Sequence, residues 1–204
     1  HFERGLVSRG ITLTGSQTAP DEEAAALLFG LGSAQLATVE RQKLPGAVAS
    51  LRRAFDYYAE AREVDRAVAV AQQPLPMAFG VLAGAAQLIR RALDLVRPDS
   101  RDEGLLLSQY SRAVYLEETN FEASQDAYTR AMAIAQREND TDLELRTLAN
   151  DSYAESWRGN HQESLEMSLR GLELARRVDN YQAELSVLYR AAFDRLITGD
   201  LRGA

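Results

Sequence analysis

The sequence predicts an all-α protein built as an α-solenoid of helix–turn–helix repeats. Three observations carry this prediction: a composition rich in helix-forming residues, an internal repeat of about 38–40 residues, and turn signals that recur along the repeat. Ala, Leu, Arg and Glu dominate the 204 residues, and these residue types favour helices over strands. Hydrophobic residues make up 46% of the chain, which is enough to bury a core.

The internal repeat is visible in four five-residue segments, each of which reads basic, small, apolar, variable, apolar. Their small residues, Ala54, Ala92, Ala131 and Gly171, are 38, 39 and 40 positions apart. Another small residue precedes each of them by seven positions, as Ala47 precedes Ala54. Residues at this spacing share one helical face, and small residues there let two helix backbones approach closely. We therefore expect Ala92, Ala131 and Gly171 to be buried at helix–helix contacts.

Turn signals separate the predicted helices. Gly159 stands where a glycine can end a helix by adopting positive φ. Ser100 with Glu103, and Thr141 with Glu144, have the spacing of a capping box. With the repeat, these signals predict first helices near 21–40, 64–78, 101–118, 141–158 and 180–198, and second helices near 2–14, 46–63, 80–97, 121–138 and 161–178.

We expect one solenoid over residues 1–204, opening with the second helix of a preceding repeat and closing with the first helix of a fifth. Residues 1–20 are expected to hold the second helix of the preceding repeat, and residues 180–204 the first helix of the fifth. The four repeats between them are expected at 21–63, 64–99, 100–139 and 140–179. A solenoid normally needs polar capping helices at its ends, and neither end offers an obvious one. A fragment of a longer chain is therefore expected, and a complete chain with irregular ends is the alternative.

At these residues the sequence resembles the tetratricopeptide repeat (TPR). Ala47, Leu51 and Ala54 match the small–large–small order of that family's second helix, and Leu31-Gly32 matches the pair favoured in its first helix. The period near 39 differs from the family's 34, and a regular closing proline is lacking. The resemblance implies a right-handed superhelix whose first helices line a concave groove. Long repeats of this style resemble the helical sensor regions of LuxR-type, MalT-like bacterial transcription regulators.

The resemblance also implies a binding surface. It places Arg146, Tyr153 and Trp157 of one first helix on the groove side, together with Tyr189 and Phe193 of the next. Within each helix the two rings are four residues apart, so each pair shares a face. We expect the four rings to form one patch, bordered by Arg146, that binds a protein, a peptide or a small apolar ligand. The alternative is that the rings pack between repeats, or that further repeats of a longer chain would bury them.

Pro74 and Pro76 interrupt the predicted first helix of the second repeat. Proline inside a helix removes a hydrogen bond and clashes with the preceding turn, so this helix should end near Gln73 or kink. Two explanations stay open: a ligand-shaped notch in the groove, and a short helix followed by a long turn.

Charge and residue content narrow the function. The net charge of −7 argues against direct nucleic-acid binding by this chain, and the absence of cysteine excludes thiolate sites. The longest apolar runs fall far short of the roughly 18 residues that a membrane helix needs. His161 is expected in a surface turn, without partners for catalysis or metal binding. We therefore expect no catalytic, cofactor or metal site.

The sequence as a whole predicts a non-catalytic, cytoplasmic binding module. Its expected role is the sensor or interaction region of a larger bacterial signalling or transcription regulator. A free-standing TPR-like scaffold that assembles other proteins is the alternative, and an enzyme is the third class. Self-association is a further expectation that the sequence leaves open.

Overall fold

The computed structural model describes residues 1–38, 41–76 and 82–199. These residues form ten α-helices and no strand, so the predicted all-α class is confirmed. The chain divides into two compact units, His1–Val96 and Arg97–Ala204.

In its described residues, the first unit contains five α-helices and a short 3₁₀ helix. Their bounds are α1 (Phe2–Ser8), α2 (Glu22–Thr38), the 3₁₀ helix (Arg41–Lys43), α3 (Leu44–Glu60), α4 (Val64–Ala71) and α5 (Ala85–Leu93). Helix α2 packs against α1 and α3, and α4 packs against α3 and α5. A Cβ on Gly32 would lie 2.7 Å from Cγ of Leu51 and 3.0 Å from the carbonyl oxygen of Ala47. The missing side chain therefore lets α2 and α3 approach closely.

Two helices of this unit, α1 and α5, are shorter than predicted, whereas α4 ends close to Gln73, as the prolines predicted. Helix α1 ends at Ser8 rather than near residue 14, because Gly10 turns the chain with a φ of +71°. Helix α4 ends at Ala71, before Pro74 and Pro76, which cannot continue a helix. Helix α5 begins only after Gly84, whose φ is +89°. Its start was predicted near residue 80, and residues 77–81 lie outside the described residues.

Up to residue 199, where the described part of the chain ends, the second unit contains the other five helices. They are α6 (Arg101–Glu118), α7 (Phe121–Glu138), α8 (Thr141–Trp157), α9 (His161–Ala175) and α10 (Tyr181–Thr198). Helices α6, α8 and α10 pack side by side, with α7 against α6 and α8, and α9 against α8 and α10. The bounds of α6 and α7 are those predicted from the repeat.

Side-chain caps set where the helices of the second unit begin. Ser100 accepts a hydrogen bond from the backbone N–H of Glu103 at 3.2 Å, as its capping-box spacing predicted. The box predicted for Thr141 and Glu144 does not cap α8. Asp140 caps it instead, accepting from the N–H of Leu143 at 2.9 Å, because the carboxylate stands one residue earlier.

The small residues of the repeat are buried, as predicted. Ala92 and Ala131 are fully buried, and Gly171 lies against α10. A Cβ on Gly171 would lie 2.7 Å from Cγ1 of Val187, so α9 and α10 also meet at a glycine. Around this contact the core of the unit contains Leu145, Ala149, Ala175, Ala183 and Val187.

Candidate binding surface on helices α8 and α10

Helices α8 and α10 begin and end with equivalent capping residues, so the positions of their aromatic residues can be compared directly. Asp140 caps α8, and Asn180, forty residues later, caps α10 by accepting from the N–H of Ala183 at 3.1 Å. Each helix is followed by a glycine with positive φ, Gly159 after α8 and Gly199 at the end of α10. The shared register of forty residues therefore makes position 153 equivalent to position 193.

Three of the four predicted rings are open to solvent, and the fourth is buried. Trp157 is 59% exposed, Tyr189 55% and Phe193 36%, whereas Tyr153 is only 4% exposed. The Tyr153 and Trp157 ring centroids are 6.2 Å apart, and the Tyr189 and Phe193 rings stack at 6.5 Å. We call Trp157, Tyr189 and Phe193 the aromatic patch. Tyr153 differs from the expectation because the neighbouring helix α10 covers it.

The rings of the two helices meet at the buried guanidinium of Arg190. Its central carbon lies 4.5 Å from the Tyr153 centroid, 5.1 Å from that of Phe193 and 5.7 Å from that of Tyr189. A guanidinium within about 6 Å of an aromatic ring is attracted to the negative face of the ring. Arg190 therefore joins Tyr153 of α8 to the two exposed rings of α10.

A hydrogen-bond chain holds Arg190 in place. Its Nη1 donates to Oγ of Ser156 at 2.9 Å, and the Ser156 hydroxyl donates to Oδ1 of Asp194 at 2.7 Å. Asp194 is fully buried and also accepts from the hydroxyl of Ser164. Burial lowers the pKa of Arg190, and the charge of Asp194 opposes that shift. The two buried charges therefore compensate each other beneath the patch.

His161 belongs to this chain of hydrogen bonds, which the sequence did not predict. Its Nδ1 lies 2.9 Å from Oδ1 of Asp194, and its ring centroid is 6.3 Å from that of Phe193. It opens α9, as expected, but its side chain is only a quarter exposed. The imidazole therefore helps to hold the Asp194 carboxylate and one edge of the patch.

Arg146 forms an ion pair within its own helix. Its Nε donates to Oδ2 of Asp142, one turn earlier, at 2.8 Å. Trp157 is eleven residues further along α8, which is about 16 Å at 1.5 Å per residue. The structure therefore brings Tyr153, Tyr189 and Phe193 around Arg190, places Trp157 beside Tyr153, and pairs Arg146 with Asp142.

A second buried cation lies on the other helix that neighbours Tyr153. The guanidinium of Arg112, on α6, is 5.1 Å from the Tyr153 centroid. Burial lowers the pKa of Arg112 to about 10, and the positive charge of Arg190 adds to the shift. Tyr153 thus lies between α6 and α10 with a guanidinium from each, which explains why this ring is part of the protein's interior.

Arg190, Asp194, Arg112 and His161 are the site residues whose role sequence reasoning missed. The signal that could have found two of them is the spacing of four between Arg190 and Asp194, on the face that also carries the small residue Ala183. A cation and a carboxylate one turn apart normally form a solvated pair on the surface, so the spacing did not predict that these two side chains are buried.

The described contacts of this region are ring packing, cation–ring contacts and hydrogen bonds. Within residues 1–38, 41–76 and 82–199, no three His, Asp or Glu side chains gather where they could hold a metal ion. In the same residues, no helix has the length and apolarity to cross a membrane. The region exposes apolar ring area next to a hydrogen-bonded ionic network. Comparison of the chain with family models, curated proteins and solved structures found no match.

Proposed function

We propose that this chain is a non-catalytic binding module that holds a protein segment, a peptide or a small apolar ligand on the aromatic patch. The observation that carries the proposal is the exposure of Trp157, Tyr189 and Phe193 on adjoining helices. Large rings are unfavourably placed when they face water, and buried aromatic side chains supply much of the binding energy at interfaces. A partner that covers the three rings would recover that energy.

The support beneath the patch favours binding as well. Arg190 is fixed by Ser156, and its ring contacts reach both Tyr189 and Phe193. Rings held in this way lose little conformational entropy when a ligand covers them, so more of the burial energy appears as affinity. Arg190 thus supports two of the three rings, Tyr189 and Phe193, before a partner arrives.

The wider architecture that we propose is a right-handed TPR-like solenoid with repeats of about 38–40 residues. The side-by-side packing of α6, α8 and α10, the first helices of three repeats, supports this architecture within the second unit. In such a solenoid the first helices form the ligand-binding face. Trp157, Tyr189 and Phe193 all belong to first helices.

In biological terms, the module is proposed as the sensor or interaction region of a larger bacterial signalling or transcription regulator. The repeat style supports this role, and a free-standing scaffold is the alternative. The two roles differ in the domains that share the polypeptide. An ATPase or helix-turn-helix domain on the same chain supports the regulator, and a full-length chain made only of repeats supports the scaffold.

The binding function is tested by a selection that needs no known partner. A random peptide library displayed on phage is selected against the purified chain, and the enriched peptides are synthesised. We expect them to carry aromatic or long aliphatic residues, because the patch offers apolar ring surface. Their affinities are then measured by isothermal titration calorimetry.

Alanine variants locate the binding surface. Trp157→Ala and Phe193→Ala should each lower the affinity for every selected peptide by at least about tenfold, the effect typical of losing an aromatic anchor. Leu169→Ala, which alters an exposed apolar side chain on α9, is the matched control and should leave the affinity unchanged. A selection without enrichment, or peptides that bind all variants equally, would refute the proposal.

A further inference from the structure

Asp151 is a buried carboxyl group at the contact of three helices. It lies on α8, which packs against both α7 and α9, and its side chain is fully buried. Neither of its carboxyl oxygens has a hydrogen-bond partner in the part of the chain that the structure describes. Burial raises the pKa of Tyr128 on α7, and the charge of Asp151 adds to that shift. The carboxyl group is therefore within electrostatic reach of this phenol on the neighbouring helix.

The charges around Asp151 are mostly of its own sign. Burial raises its pKa, Glu155 on α8 and Glu163 on α9 raise it further, and Arg158 at the end of α8 lowers it. Helices α6 and α10 also pack against α8, but within the described residues the charges that act on Asp151 are those of α8 and α9. An ionised Asp151 would therefore be a buried charge near two other carboxylates.

Arg158, the one cation that acts on Asp151, is already engaged. It donates a hydrogen bond to Oε1 of Glu155, and its guanidinium lies 3.7 Å from the centroid of the Phe121 ring. Glu155, which is also buried, accepts from Nε2 of Gln125 at 3.1 Å and from Nδ2 of Asn160 at 2.7 Å. Arg158 can therefore neutralise an ionised Asp151 only by giving up these contacts.

The internal repeat shows that the fold does not need a carboxyl group at this position. Forty residues to either side of Asp151, the equivalent positions in α6 and α10 are Ser111 and Ala191. Both are buried, and neither side chain ionises as a carboxyl group does. Asp151 is thus an addition to one repeat, and it makes the packing of that repeat depend on whether the carboxyl group carries a proton.

The three carboxylates belong to one stretch of chain, residues 151–163, which we call the turn segment. It runs from the last turns of α8 through Gly159, whose φ is +85°, into the first turn of α9. We propose that Asp151 acts as a pH-sensitive switch: the turn segment stays packed while the carboxyl group carries its proton and opens locally when the proton leaves. Opening lets water reach the carboxylate and separates like charges. The switch does not depend on what the aromatic patch binds.

The direction of the pH dependence follows from the proton that Asp151 binds. In the packed segment its pKa is about 8, and in an open segment it returns towards its ordinary value of 3.8. Between about pH 4 and pH 8 the open form therefore releases the proton and the packed form keeps it. The population of the open form relative to the packed form should rise about tenfold per pH unit across that window, and level off above it.

Hydrogen–deuterium exchange followed by mass spectrometry measures this opening. Protection factors, which are corrected for the intrinsic effect of pH on exchange, should fall about a hundredfold in the turn segment between pH 5.5 and pH 7.5. At pH 7.5 the segment should exchange at least about tenfold faster than α6, because it opens while the rest of the unit stays folded. A fall smaller than about tenfold, or equal protection in the segment and in α6, overturns the proposal.

Asp151→Asn assigns the effect to this carboxyl group. The amide does not ionise, so the turn segment of the variant should have the same protection factors at both pH values. Asp126→Asn, at an exposed position on α7, is the matched control and should show the wild-type fall. Far-ultraviolet circular dichroism verifies that each variant is folded. An Asp151→Asn variant that loses protection as the wild type does overturns the proposal, because another group would then control the segment.

Glu163→Gln tests the switch without altering the buried group itself. Glu163 is exposed, and removal of its negative charge should lower the pKa of Asp151 in the packed segment. The fall in protection between pH 5.5 and pH 8.5 should therefore be smaller than in the wild type. Glu166→Gln, also exposed on α9, should match the wild type. Equal falls in Glu163→Gln and Glu166→Gln overturn the proposed role of the three carboxylates.

Discussion

The guanidinium of Arg190 on α10 lies 4.5 Å from the centroid of the Tyr153 ring on α8, and both side chains are buried. Arg190 remains a stable buried cation because Ser156 accepts one of its hydrogen bonds and Asp194 supplies the opposite charge nearby. The aromatic patch therefore rests on a compensated ion network, and the stability of the second unit should depend on it.

Removal of the Arg190 charge should destabilise the second unit. Arg190→Met keeps most of the side-chain volume but leaves the buried carboxylate of Asp194 without its cation. We expect the free energy of unfolding to fall by about 3 kcal/mol, the effect typical of breaking a buried charge pair. Urea unfolding followed by the fluorescence of Trp157, the only tryptophan of the chain, reports on this unit.

Arg146→Met provides the matched control, because Arg146 forms a half-exposed ion pair with Asp142 on α8. Surface pairs of this kind contribute less than about 1 kcal/mol. Similar losses in the two variants would show that the Arg190 network has no special role.

Gly32 should be intolerant of any side chain. In Gly32→Ala the new Cβ meets Leu51 at 2.7 Å and the carbonyl oxygen of Ala47 at 3.0 Å, so α2 and α3 must separate. We expect the first unit to lose about 1–3 kcal/mol of stability. Differential scanning calorimetry measures the change.

Gly46→Ala on α3 is the control for this prediction. Its Cβ would find only Oε1 of Gln35, at 3.9 Å, and alanine is the better helix former by up to about 1 kcal/mol. Gly46→Ala should therefore leave stability unchanged or raise it. If Gly32→Ala melts at the wild-type temperature, α2 and α3 do not meet closely at this glycine.

Asp151 should make the stability of the second unit depend on pH. Its carboxyl group is buried without a hydrogen-bond partner, and burial, reinforced by Glu155 and Glu163, raises its pKa to about 8. The unfolded chain releases this proton near pH 4, so between about pH 4 and pH 8 the folded chain binds the extra proton. The free energy of unfolding therefore falls as pH rises across that window.

Asp151→Asn should remove this contribution, because the amide resembles the neutral acid and does not ionise. We expect the variant to match the wild type near pH 4 and to be more stable by at least about 2 kcal/mol at pH 8. Urea unfolding at several pH values measures how the free energy of unfolding changes with pH in the wild type and in the variant. Asp126→Asn, at an exposed position on α7, should retain the wild-type slope. Parallel slopes for wild type and Asp151→Asn would contradict the prediction.

Much of the helical framework could be predicted because its signals are local. The bounds of α6 and α7 follow from Ser100 as a cap and from the spacing of the small residues, which depend only on neighbouring positions. The early end of α1 was missed because Arg9-Gly10-Ile11 repeats a pattern found inside the second helices. The pattern does not reveal that Gly10 adopts positive φ.

The candidate site could be predicted only in part. The spacing of four identified which rings share a face, and Trp157, Tyr189 and Phe193 are indeed open. The burial of Tyr153 depends on α6 and α10, which are distant in sequence. The bond from Ser156 to Asp194 likewise joins residues 38 positions apart. Contacts of this range leave no periodic signal in the chain.

The central claim, that the aromatic patch binds the partner, is tested most directly by the accessibility of Trp157. Because Trp157 is the only tryptophan, acrylamide quenching of the intrinsic fluorescence reports on this one ring. The free chain should be quenched readily, and saturation with a selected peptide should protect the ring and shift its emission to the blue. A peptide that saturates the chain while Trp157 remains as quenchable as before would contradict the claim.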